Sequence, residues 1–212
     1  MSPGREVACP ACGAPVRFVS VASLLAVCGY CRATLLRRDL DVENLGRMAE
    51  LIADPTPLQL GAGGRYHATH FAVVGRIQVA YPEGAWNEWH LVFDDGRSGW
   101  LGEAGGTYAV SFETPVSEQL PPWDSLHPGL EVALKGGTYE VSDIRTARIV
   151  GGEGELPLLV AGGYETRVAD LRTDTARFAT IDYSDEPPRV FLGEAVEFEA
   201  LHLQGLRRFE GW

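Results

Sequence analysis

The chain has 212 residues, 45% of them hydrophobic and 22% charged, an ordinary globular composition long enough to bury one substantial core or two small ones without disulfides. Twenty-five glycines and 13 prolines favour many turns and short strands and exclude a long helical bundle. The formal charge of −11, with 29 acids against 18 bases and Lys135 the single lysine, argues against a general phosphate-binding surface.

The first element along the chain is a metal site. Cys9-Pro-Ala-Cys12 and Cys28-Gly-Tyr-Cys31 are two CxxC pairs separated by fifteen residues, the spacing of a zinc ribbon. Two residues between thiolates let one tight turn present both to the same face of a tetrahedral ion. Pro10 presets its φ and Gly13 accepts a positive one. Residues 16–19 and 24–27 read as the hairpin that returns the second knuckle to the first, and 33–36 as a third strand, giving a ribbon over 1–38. Four thiolates leave no open coordination position, so the expected cofactor is one structural Zn2+ per chain; the same donor set also suits iron.

Residues 39–57 are predicted as a helical connector: Val42, Leu45, Ala49 and Ile52 share a face, Asp41 caps the start and Pro55 stops the end. From Leu58 the period is two, which predicts a mostly-β fold with a first lobe over 58–114, a Pro-rich linker over 115–129, a second lobe over 130–204 and a tail over 205–212. Each lobe has the size of a small barrel or sandwich-like unit. In the first, residues 66–73 alternate as one strand, Ile77, Val79 and Tyr81 as another, and 86–93 run into Asp94-Asp95-Gly96, a hairpin turn signal. Gly63-Gly64-Arg65-Tyr66 recurs as Gly136-Gly137-Thr138-Tyr139, and Leu-Gly-Glu-Ala occurs at 101–104 and 192–195; a tandem duplication accounts for both.

The ribbon, the stretch LQLGAGGRYHATHFAVVGRI and the meander WNEWHLVFDDGRSGWLGEAGGTYAVSF together resemble the bacterial family of domain of unknown function 4178 carrying an N-terminal zinc ribbon. The likeness runs to about Leu203, and its Trp-Asn-Glu-Trp and Trp-Leu motifs are the specific part. The family's second knuckle reads Cys-Pro-x-Cys-Gly, whereas this chain has Cys28-Gly29-Tyr30-Cys31-Arg32. The family confers no reaction; what it implies is a soluble partner of membrane-associated or stress-related systems, some containing polyamine-type or peptide-ligating enzymes.

Catalytic constellations are scarce. Every cysteine is committed to metal, and Gly96-Arg-Ser-Gly99 lacks the last glycine of a nucleophile elbow. His67 and His70 face opposite sides of a strand. Glu88 and His90, two apart beside Trp86, form the one acid and base pair on a common face. Glu103 and Glu194 occupy matching repeat positions and read as two exposed turn-flanking acids, with a pair of carboxylates brought together by a pseudo-twofold as the alternative. Neither Gly61–Gly64 nor Gly151–Gly154 leads into a phosphate-binding helix. Trp86, Trp89 and Trp100 crowd the meander, with Trp86 and Trp89 on opposite faces of their strand, and Phe209 and Trp212 in the tail are candidates to cover one of them; these four tryptophans form the expected binding surface. No apolar run approaches the about 20 residues of a spanning helix, Met1-Ser-Pro-Gly-Arg-Glu-Val has no apolar stretch behind its arginine, and the cysteines are confined to the first 31 residues. The expectation is a cytoplasmic, non-catalytic binding or assembly module that contacts a protein partner or itself, without membrane insertion or nucleic acid. An enzyme using Glu88 and His90 is the alternative, and a zinc-ribbon nucleic-acid binder comes third.

Overall fold

The computed structural model describes residues 5–38, 41–160, 163 and 165–209. Two short strands, β1 (Arg5–Ala8) and β2 (Pro15–Phe18), make a two-stranded sheet around the first knuckle. All other described strands join one sheet of thirteen: β3 (Leu25–Val27), β4 (Ala33–Arg38), β5 (Asp41–Arg47), β6 (Gly63–Tyr66), β7 (Thr69–Tyr81), β8 (Gly84–Phe93), β9 (Ser98–Ala104), β10 (Thr107–Glu113), β11 (Glu131–Leu134), β12 (Gly137–Leu156), β13 (Glu165–Arg172), β14 (Arg177–Asp182) and β15 (Arg189–Val196). Among the described residues the helical content is two single 3₁₀ turns, Trp123–Ser125 and Phe198–Leu201. The mostly-β expectation holds, and no helix among the described residues is long and apolar enough to cross a membrane.

Hydrogen bonding runs in a closed circuit of eight strands, β7-β8-β9-β10-β15-β14-β13-β12 and back to β7. Both seams between the halves are antiparallel: β10 meets β15 from Tyr108↔Val196 to Glu113↔Phe191, and the far half of β12 meets β7 from Ile149↔Val79 to Gly154↔Gly75. The expected lobes are therefore two halves of one continuous, barrel-like sheet. Alternation divides its side chains between faces. One face gathers residues from both halves, including Ile77, Val79, Trp100, Ala147, Ile149, Trp86 and Phe191, so it points into the circuit. The opposite faces carry separate cores: Trp89, Leu91, Phe93, Leu101 and Val110 lie under Leu58, Ala62 and Leu201, and Leu171, Ala179, Ile181 and Val190 lie under Val116, Leu120 and Leu126. The Pro-rich stretch is thus a cover rather than a spacer, held also by the Tyr183 hydroxyl donating to the Pro121 carbonyl at 2.8 Å.

Three readings need correction. The helical connector is absent. Residues 41–47 form β5, which pairs along β4; Gly46 sits at φ 114°, outside the helical region. An isolated helix of this length is marginal in water, whereas β4 offers an open edge that satisfies the same backbone groups. Residues 48–62 then run without regular structure over the sheet. The alternating run 66–73 is broken, because His67 at φ 51° makes a tight turn with Ala68 between β6 and β7. The repeated motifs do not correspond either: Tyr66 ends β6 while Tyr139 lies inside β12, and the two Leu-Gly-Glu-Ala segments fall in β9 and β15, the fourth and fifth strands of their halves. What does recur is strand order, a short strand, a long one and three more, with second strands pairing across one seam and fifth strands across the other.

Glycine matters where these strands meet. A Cβ on Gly75 would lie 1.8 Å from the Glu155 carbonyl oxygen, so the crossing of β7 and β12 needs a residue without one.

Candidate functional site

The four cysteines converge. Cys9 Sγ lies 3.7 Å from Cys31 Sγ and Cys12 Sγ 3.7 Å from Cys28 Sγ, and all four sulfurs fall within 4.8 Å of one another. A tetrahedron with metal–sulfur bonds of about 2.3 Å has edges of about 3.8 Å, so the donor set fits a four-coordinate ion held wholly by protein. The two knuckles are built alike. Cys9 N donates to Ala14 O at 2.8 Å and Gly13 N to Cys9 O at 2.7 Å; Cys28 N donates to Ala33 O and Arg32 N to Cys28 O, each at 2.9 Å. Burial raises the Cys28 thiol, but amide hydrogen bonds from Cys31 and Tyr30 outweigh it and leave it lowered to about 7. The Ala14 amide pulls Cys12 down, yet its thiol neighbours, Cys31 foremost, leave it raised to about 12. Four thiols this close do not all ionise without a cation among them.

The ribbon is joined to the large sheet rather than hung from it. Its strand β3 pairs with the end of β12, from Leu25↔Leu156 to Val27↔Gly154. The buried Glu155 carboxylate accepts from Val19 N at 2.7 Å, Ser20 N at 3.1 Å and Ser23 Oγ at 2.8 Å. Leu25 and Val27 enter the same core as Ile77 and Ile149.

The strand bearing Glu88 and His90 places both inside the circuit, as alternation predicts, but with separate partners. His90 Nδ1 lies 2.9 Å from the Glu155 carbonyl and Nε2 2.7 Å from Ser98 Oγ, and burial lowers its pKa to about 4. Glu88 accepts from Trp86 Nε1 at 2.9 Å; burial, with Asp170 nearby, raises it to about 7. His90 is thus a buried, neutral imidazole with both ring nitrogens engaged.

The three tryptophans of the meander do not form a surface. Trp89 and Trp100 are buried; Trp86 is half-buried, packed on Tyr81 at 5.5 Å between ring centres with the Arg145 guanidinium 5.5 Å from its ring. Trp89 is covered in cis, by the segment around Leu58 and by the chain around Leu201, Leu203 and Leu206; Trp212 lies outside the described residues. Trp89 Nε1 donates to Glu103 at 2.9 Å and its ring lies 4.7 Å from the Arg76 guanidinium. Glu103 also takes Thr56 Oγ1 at 2.7 Å and Asn87 Nδ2 at 3.2 Å, while Arg76 pairs with Asp54. Glu103 and Glu194 therefore do not meet: the first is locked in this network and the second lies 2.9 Å from His67 Nε2. The Asp54 and Thr56 anchors, which pin the irregular segment, had no signal in the sequence beyond the polarity of residues 54–56.

A family model, the domain of unknown function DUF4178, matches residues 59–198. The chain belongs to this family. No curated protein and no solved structure matches it. The DUF4178 match covers the whole eight-strand circuit and leaves out the four cysteines and the Asp54 and Thr56 anchors. Within DUF4178, the Trp-Asn-Glu-Trp motif divides by parity: Asn87 and Trp89 serve the outer network, while Trp86 and Glu88 bond to each other inside.

Proposed function

We propose that this chain is a cytoplasmic, zinc-stapled assembly module without catalytic activity, whose ribbon arm makes the contact with a partner protein or a second copy. The observation that carries the reading is the closed set of four thiolates: zinc held this way has no position for substrate or water. The engagement of both His90 nitrogens removes the base on which the enzyme alternative depends. For the contact, the support is where apolar side chains face water. Of eight large hydrophobics exposed among the described residues, Val21, Leu24, Tyr30, Leu45 and Ile52 lie in the ribbon arm and the segment after it, and exposed aromatic and aliphatic side chains are the anchors of protein interfaces. The acidic balance of the chain speaks against nucleic acid as the partner.

The test is a photo-crosslinking side chain placed at Val21 or, as a comparison, at exposed Leu159, in the native host. A discrete crosslinked protein from Val21 alone supports the reading. No product from Val21, or the same products from both positions, overturns it.

A further inference from the structure

The two knuckles differ at one position, and there the second reaches out of the ribbon. Gly13 and Arg32 close equivalent turns with equivalent backbone hydrogen bonds, and both have positive φ, 76° and 61°. Glycine adopts that conformation freely; a residue with a Cβ is disfavoured there. The side chain of Arg32 supplies the compensation. Its Nε donates to the Met48 carbonyl at 3.3 Å, and its Nη2 to the Ala49 carbonyl and, at 3.3 Å, to the Gly152 carbonyl. Its own carbonyl accepts from Met48 N at 2.8 Å. One guanidinium therefore joins a metal knuckle, the start of the strap over residues 48–58, and β12.

The strap lies close on the sheet. A Cβ on Gly151 would come within 2.5 Å of the Ala49 carbonyl oxygen. Farther along, Ile52 N donates to Gln78 Oε1 at 2.7 Å, Asp54 pairs with Arg76 and Thr56 bonds Glu103. Between the strap and β7 is an open cleft of about 380 Å³, bordered by Arg32, Ile52, Asp54, Arg76, Glu153 and Arg207.

We propose that Arg32 is a latch through which metal occupancy at Cys9, Cys12, Cys28 and Cys31 controls the first half of the strap and the shape of this cleft. The inference rests on the metal reading of those cysteines. Closure of the second knuckle on the ion is what holds Arg32 at positive φ. Without the ion the knuckle relaxes, the residue returns to an ordinary φ, and the guanidinium leaves its three carbonyls. Ile52, Asp54 and Thr56 keep their own partners, so the opening is confined to residues 48–51.

Amide hydrogen exchange on the full chain, with and without a strong zinc chelator, tests this, with metal content measured on the same samples. In the wild type, chelation should speed exchange at Met48 by about tenfold or more, the weight of a lost charge-assisted hydrogen bond, and leave Ile52, held by Gln78, as it was. Arg32→Gly accepts the same φ and keeps the carbonyl that takes Met48 N; it should keep its metal, exchange faster than the wild type at Met48, and gain less there on chelation than the wild type does, while the ribbon amides still respond. Arg32→Asn, which also tolerates positive φ, should match it. A wild type that loses its metal with no change at Met48, or an Arg32→Gly protein whose strap responds as the wild type does, overturns the latch and leaves the metal site standing. A purified wild type without metal overturns both.

Discussion

Glu88→Gln should raise stability in alkaline solution and leave it nearly unchanged in acid. In the folded chain burial, reinforced by Asp170, holds the Glu88 proton up to about pH 7, against 4.5 for an ordinary glutamate. Between these values the unfolded chain binds fewer protons than the folded one, so stability falls as pH rises through the window and is level above it. His90 acts in the opposite sense. Burial lowers its pKa from 6.5 to about 4, so the unfolded chain takes up a proton first and stability falls as pH drops through that range. The two slopes oppose each other between about pH 4.5 and 6.5, and the wild type should be unusually flat there. A full shift of this size corresponds to about 3 kcal/mol, but Glu88 is half-buried rather than sealed, and solvent screening reduces the figure to about 1–2 kcal/mol. Glutamine keeps an oxygen for Trp86 Nε1 and removes the charge. Urea unfolding followed by circular dichroism at about pH 4.5, 5.5, 6.5 and 8 should show the variant's advantage growing across the window to about 1–2 kcal/mol, with the His90 slope exposed. A loss of stability at about pH 8 would show that Glu88 is ionised and paired in the folded state, and an advantage independent of pH would show that its proton affinity does not change on folding; either would refute the argument.

Metal analysis should find one zinc per chain, and Cys12→Ser should lose it; because β3 belongs to the large sheet, that loss should also lower the thermal midpoint of the circuit rather than spare it. Trp89→Ala should cost about 3–5 kcal/mol from the cavity alone, with further loss from the stranded Glu103, by urea titration; a change under about 1 kcal/mol would mean the site collapses freely. Glu155→Gln keeps the shape but weakens three hydrogen bonds to the ribbon loop, and should cost about 1–3 kcal/mol while raising protease cleavage near residues 19–23. Duplex DNA and single-stranded RNA should bind no better than about 10⁻⁴ to 10⁻⁶ M at physiological salt, checked by fluorescence anisotropy; tight, salt-steep binding would bring the ribbon back as a reader of nucleic acid.

Local chemistry was legible and long-range pairing was not. The CxxC spacing placed four thiols correctly because two residues between ligands dictate a knuckle wherever it folds. Asp94-Asp95-Gly96 marked its hairpin for a similar reason, with Gly96 at φ 87°. Parity put Trp86 and Glu88 on one face and Trp89 on the other. Apart from the tight turn at His67 and Ala68, which splits the run 66–73, the failures involve partners distant in sequence. Val42, Leu45, Ala49 and Ile52 have helical spacing, but the edge of β4 decided their fate. The aromatic meander looked like a surface because its covers, Leu58 and Leu201, lie outside it on either side. The repeat was sought in matching words, whereas the likeness lies in the order of strands, which pairing alone reveals.

The pairing of β3 with β12 has a consequence for synthesis. Ala26 is matched with Glu155, 129 residues farther along, and chains grow at about 5–20 residues per second. For roughly 6 to 26 s the ribbon must stand with that edge unmatched, while the later strands are still being made. Both knuckles are complete by Cys31, so metal can be captured throughout that interval. A metal ion held by those thiols would then serve first as a temporary brace for a nascent segment, and only afterwards as a fastening of the finished sheet.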